Sequence, residues 1–137
     1  MGIMIFLGFF KKKKNKNDTN QNYYSTVEWP EYIINLNAET FDDFIQKYSL
    51  SIIDFWAPWC APCKAMTPRL RKLSKIYKGK VAFGKLDVQK NRDISKKYKI
   101  SGIPHLICFK YGKKISSITG LKSVYDLKNT IEDILKR

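Results

Sequence analysis

Cys60 and Cys63 stand three residues apart in IIDFWAPWCAPCK, residues 52–64, a run that also holds two prolines, two tryptophans and one carboxylate. Thiols at this spacing support reversible dithiol–disulfide exchange or the coordination of a metal ion. A third cysteine, Cys108, stands well apart. Three cysteines in 137 residues are too few for a stapling framework, because the close pair leaves one over.

The metal reading would join His105 and Cys108 to the pair, a C-x2-C and H-x2-C set that imitates a structural zinc domain. Residues three apart on a strand point to opposite faces, so His105 and Cys108 cannot both reach one ion. Pro62 and the tryptophans have no place in a zinc knuckle either. Redox chemistry without a metal is therefore expected, with a structural zinc-binding domain as the remote alternative.

Dithiol exchange needs one sulfur poised as a thiolate and a second within reach. SIIDFWA is a nearly continuous apolar run, as expected of a strand covered on both faces. Cys60 then lies just past the strand's carboxyl end, where α/β sheets present their sites. Pro62 falls just inside the following helix, where its missing N–H costs nothing. Cys60 thus sits at the helix N-terminus, whose unpaired N–H groups and macrodipole favour a thiolate. Cys63 comes one turn later, close enough for a disulfide with little backbone change. Asp54 is a carboxylate inside the apolar run, costly to bury without a partner. The other reading of Asp54 is a strand-edge acid facing water.

Around this run, YIINL reads as a short strand, and Asn37 can cap a helix with Phe41, Phe44, Ile45 and Tyr48 on one face. Met66, Leu70, Leu73 and Tyr77 make the stripe of the helix after the cysteines, which Gly79 ends. KVAFGKLDV is a third strand, followed by a short helix through Ile94 and Tyr98. HLICF and KISSIT flank KYGK, whose Gly112 suits a hairpin turn. Ser123, with Asp126 three residues on, opens a last helix carrying Leu127, Ile131, Ile134 and Leu135. The order β-α-β-α-β-α-β-β-α implies an α/β domain with a central mixed five-stranded sheet, parallel in its first part, and helices on both faces.

The charge of +14 raises nucleic acid as a partner, but the lysines outside the first segment are scattered along helix faces and loops. Without a motif that turns charge into a docking geometry, no nucleic-acid partner is expected. The opening MGIMIFLGFFKKKK has about ten apolar residues before its lysines, against the roughly twenty of a spanning helix. A secretory signal has the opposite order, and Phe6 stands where a myristoylation pattern wants Ser or Thr. Residues 1–16 read as a weak membrane-surface contact or an unordered start. Residues 1–28 form an apolar, basic extension and a polar, flexible linker ahead of a domain at 29–137.

DFWAPWCAPCK resembles the active site of the thioredoxin family, a Trp-Cys-Gly-Pro-Cys-Lys run after an Asp-Phe-Trp-Ala strand end. SGIPHL resembles the family's Gly-Ile-Pro-Thr segment, whose proline is cis and rests against the cysteines. Pro68 matches the proline that kinks the active-site helix, Gly112 the hairpin glycine, and Gly120 a glycine beside the substrate groove. The likeness runs over roughly residues 29–137. It implies a thioredoxin fold and a protein-disulfide reductase, with Cys60 as nucleophile and Cys63 as resolving thiol. It makes Asp54 the buried acid that helps deprotonate Cys63, and Lys85 the lysine that modulates it. It assigns substrate contact to Trp59, Ala61, Pro62, Ile103, Pro104 and Gly120, and leaves Trp56 mainly structural.

Two departures matter. Ala61 replaces glycine between the cysteines, and His105 replaces the threonine after the cis-proline, where an imidazolium would favour the thiolate. Cys108 reads as a small core hydrophobe. The resemblance further implies a cytoplasmic monomer with no bound cofactor, recharged by a thioredoxin reductase and acting on disulfide-containing proteins. A membrane-tethered oxidase or isomerase of the same fold is the alternative.

Overall fold

The computed structural model describes Tyr24 and residues 26–137. The membrane-surface contact expected of residues 1–16 lies outside them. Strands β1 (Ile34–Leu36), β2 (Leu50–Trp56), β3 (Ala82–Asp87), β4 (His105–Lys110) and β5 (Lys113–Thr119) form one sheet in the order β1-β3-β2-β4-β5. The first three are parallel, and β4 and β5 run antiparallel to their neighbours. Helices α1 (Phe41–Lys47), α2 (Ala61–Ile76), α3 (Arg92–Lys97) and α4 (Val124–Leu135) join or follow them in the expected sequence.

The apolar run of β2 places it at the centre, and Leu50 through Phe55 are all buried. Its side chains alternate between two cores. On one face Leu50 and Ile52, with Phe83, Leu106 and Cys108, meet Met66, Leu70 and Leu73 of α2 and Leu127, Ile131 and Ile134 of α4. On the other, Ile53 and Phe55 meet Phe41, Phe44 and Ile45 of α1, with Ile94 and Tyr98 packed against them. Phe41 and Tyr98 both present T-shaped contacts to Phe109, at 5.8 and 5.5 Å between centroids. These aromatic pairs lock α1 and the end of α3 onto the sheet.

Local chemistry accounts for the joints. Tyr111 and Gly112 both have positive φ, 51° and 82°, between the paired Lys110 and Lys113, so a two-residue primed turn closes the hairpin. Ser123 Oγ accepts the Asp126 N–H at 3.0 Å and starts α4. At α1 the start differs from expectation. Asn37 Oδ1 accepts the N–H groups of Glu39 and Thr40, which closes a turn before the helix, and Thr40 takes the N-cap position. An asparagine satisfies a turn two residues ahead as readily as a helix end, so its identity alone did not separate them. Similarly, α2 stops at Ile76 with Tyr77 as C-cap, and Gly79, at φ 88°, serves the turn into β3.

Contacts with the domain reach back ahead of residue 29. The Tyr24 hydroxyl donates to the Gln46 carbonyl at 3.1 Å, and Val27 packs with Trp29 on the α1 side. Among the described residues, no helix is long and apolar enough to cross a membrane.

Candidate active site

The strand β2 ends at Trp56, and a short turn carries the chain to Cys60, the N-cap of α2. Cys60 keeps an extended backbone, φ −92° and ψ 108°, and its Sγ accepts the Cys63 N–H at 3.2 Å. Side-chain acceptance by Cys60 fills the capping role that an oxygen usually takes, and once the disulfide is reduced a helix N-terminus is a position that favours a thiolate. Pro62 occupies the first turn, where an N–H has no intrahelical partner to lose. Cys60 and Cys63 are joined as a disulfide, with Cα atoms 5.2 Å apart.

Cys60 retains 5% of its surface and Cys63 1%. Both sulfurs are thus buried in the disulfide, Cys63 the more completely. Ala57, Trp56, Val88 and Ile103 close around the pair and take up its surroundings. Cys60 Sγ lies 3.9 Å from the Ile103 carbonyl oxygen. The Ile103–Pro104 bond is cis. Pro104 is tied in turn to Gly120, whose N–H donates to the Pro104 carbonyl at 2.8 Å. Gly120 has φ 96°, a conformation that side chains disfavour. Ala61 and Pro62 are exposed beside the sulfurs.

Asp54 is 1% exposed and its Oδ1 has no hydrogen-bond partner among the described residues. It does not face water at a strand edge, since β3 and β4 flank β2 on both sides. Burial pushes its carboxyl up to about 7, with the charge of Lys85 pulling the other way. Lys85 is the register partner of Asp54 across the parallel β2–β3 pair. Its ammonium sits 4.3 Å above the centre of the Trp56 ring. Trp56, half-buried, therefore holds the lysine as well as packing beside the disulfide.

His105 and Cys108 point to opposite faces of β4. The His105 ring packs near Phe55 on the α1 side, while Cys108 lies fully buried in the α2 and α4 core. Burial pushes the Cys108 thiol up to about 12, which makes it inert. His105 Nδ1 is 2.8 Å from Thr119 Oγ1, and partial burial with nearby Lys114 lowers its pKa. The imidazolium expected to aid the thiolate is thus the disfavoured form.

A groove of about 350 Å³ opens beside the disulfide. Trp59, 65% exposed, lines it together with Val88, Ile100 and Ile103, and with Arg92 and Lys96 of α3. Sequence reading found Trp59 and Ile103 but not the other four. The spacing of Arg92 and Lys96 puts them on one helical face, yet nothing in the chain says that this face borders the cysteines.

The thioredoxin family model matches residues 32–133. Thioredoxin from Staphylococcus saprophyticus is 38% identical over 100 residues, covering 73% of this chain and 95% of that protein. Thioredoxin from Staphylococcus aureus is 34% identical over the same shares. Among solved structures, oxidised mitochondrial thioredoxin 3 of Saccharomyces cerevisiae is 36% identical with a TM-score of 0.68, covering 74% of this chain and 94% of that one. Plasmodium falciparum thioredoxin is 31% identical with a TM-score of 0.69, over 74% and 98%.

Proposed function

This chain belongs to the thioredoxin family and is a thiol–disulfide oxidoreductase, and from that premise we propose how its residues divide the work of reducing a protein disulfide. The observation that carries the proposal is the Cys60 sulfur at the N-cap of α2, bonded to Cys63 and accepting its N–H.

In the reduced protein the Cys60 thiolate attacks one sulfur of the substrate disulfide. The other substrate sulfur leaves as a thiolate and takes a proton from solvent. Cys63 then gives its proton to the Asp54 carboxylate, and its thiolate attacks Cys60 Sγ. The second substrate thiolate departs, and the Cys60–Cys63 disulfide holds the oxidising equivalents: two electrons have passed to the substrate. The role of Asp54 is supported by its pKa of about 7, close to working pH, and by its place on the sheet face that α2 covers. Lys85 lowers that pKa from its perch on Trp56 and so keeps more carboxylate available at neutrality.

Trp59, Ala61, Pro62, Ile103, Pro104 and Gly120 form the substrate surface. Support comes from the exposed Trp59, Ala61 and Pro62 on one side of the disulfide and the Ile103–Pro104 turn, held by Gly120, on the other. Main-chain groups at such a turn accept an extended partner without regard to its side chains. His105 contributes its hydrogen bond to Thr119 and not a charge.

Disulfide-containing proteins are the substrates, and a thioredoxin reductase regenerates the dithiol of a monomer working in the cytoplasm. Residues 29–137 are the catalytic unit. Contact of residues 1–16 with a membrane surface is a separate proposal, and full-length protein left in the supernatant with anionic liposomes would remove it.

The test of direction is the reduction potential of the Cys60/Cys63 pair, with Cys60→Ser as control. A value near about −270 mV fits a reductase, whereas one between roughly −180 and −120 mV moves the protein to oxidation or isomerisation.

A further inference from the structure

We propose that the groove beside the disulfide selects acidic substrates: it takes the segment flanking the target cysteine, and Arg92 and Lys96 bind Asp or Glu side chains carried there. This rests on the reductase reading above.

The groove lies next to the disulfide, because Val88 and Ile103, which line it, also pack against Cys60 and Cys63. Trp59 is the chain neighbour of Cys60, and the Ile103 carbonyl lies 3.9 Å from Cys60 Sγ. A substrate chain joined to Cys60 as a mixed disulfide therefore has this surface within reach of the residues that flank its cysteine. Its floor is apolar, from Trp59, Val88, Ile100 and Ile103, and its outer wall is the face of α3 with Arg92 and Lys96.

That wall presents two cations and no anion. Both side chains are exposed, and neither forms an ion pair among the described residues. The nearby acids do not line the groove: Asp87 accepts the N–H groups of Gln89 and Lys90, and Asp93 lies on α3 outside the lining. Like charges four residues apart on a helix repel each other. A carboxylate between them relieves that repulsion while the groove floor removes part of the surrounding water. Complementary charge at the rim of an apolar contact acts on selectivity and on the rate of encounter.

The net charge of +14 also attracts acidic partners at long range, so the groove must be separated from the whole-molecule field. Pre-reduced full-length protein is mixed in single turnover with three peptides that share one disulfide and differ only in flanking residues: glutamates, serines or lysines. The rate constant for the glutamate peptide is expected to exceed that for the serine peptide by about threefold to tenfold at low salt, with the lysine peptide slowest. Arg92→Glu/Lys96→Glu removes this order, while the charge-matched Lys72→Glu/Lys128→Glu, on exposed faces of α2 and α4, keeps it. Equal rates for the three peptides overturn the proposal, as does equal loss of preference in both double variants. Reduction of none of the peptides by the wild type overturns the reductase reading and this proposal together.

Discussion

Lys85 stands directly across the β2–β3 pair from Asp54, yet its ammonium rests 4.3 Å above the Trp56 ring and makes no ion pair with the carboxylate. The acid is left buried with a cation near but not bonded. Its charge is therefore disfavoured by burial and only partly restored by Lys85, which sets its pKa at about 7. A bonded pair would have stayed ionised throughout the neutral range and taken up no proton.

Asp54 makes stability fall with rising pH. Between 3.8, its ordinary value, and about 7, the folded chain holds a proton that the unfolded chain has released. Raising the pH across that window favours unfolding, and the loss is complete above it. Asp54→Asn should flatten this decline and raise stability by about 1–3 kcal/mol at alkaline pH. Urea unfolding at a series of pH values measures it. Parallel curves for the two proteins would contradict the assigned burial effect.

The same variant should slow resolution of the mixed disulfide by at least about tenfold at neutral pH, because Cys63 loses its proton acceptor. Lys85→Met should move the wild-type pH dependence to higher pH, since the cation that lowers the Asp54 pKa is gone. Stopped-flow single turnovers across pH report both effects. An unchanged midpoint in Lys85→Met would mean that the lysine only packs on Trp56.

Cys63→Ser should accumulate a one-to-one covalent adduct with a disulfide substrate, and Cys60→Ser should form none and lose turnover. Intact-mass spectrometry distinguishes the two. Trapping by Cys60→Ser instead would reverse the roles of nucleophile and resolving thiol.

His105→Thr should leave the rate unchanged at about pH 7 and above, because partial burial and nearby Lys114 lower the imidazole pKa from its ordinary value and the neutral ring is the favoured form there. The lost contact with Thr119 should cost about 1 kcal/mol or less. A slower variant in that range would restore an electrostatic role for the histidine.

Much of this molecule was legible in the chain because its signals are local. Pro62 after Cys60 marks a helix start, the unbroken apolar run of β2 marks a central strand, and Gly112 between two strand patterns marks a tight hairpin turn. Each depends on a few adjacent residues whose backbone preferences are the same in any surroundings. Asn37 misled by three positions for the same reason, since the turn and the helix start that it can cap are locally alike.

Sequence alone thus determined the element order, the central strand and the pair of thiols at a helix start. Tertiary structure decided what surrounds them. The apolar run of β2 marks it as central, but the residues that flank Asp54 come from strands about 30 and 50 positions away, and no pattern within β2 says which they are. Lys85 reaches Trp56, and Arg92 and Lys96 reach the groove of Trp59 and Ile103, only because the ends of β2 and β3 and the start of β4 meet at one end of the sheet. Periodicity tells which side chains share a face within one element. What covers that face, and therefore the charge, solvation and reactivity of the groups on it, is set by packing between elements distant in the chain.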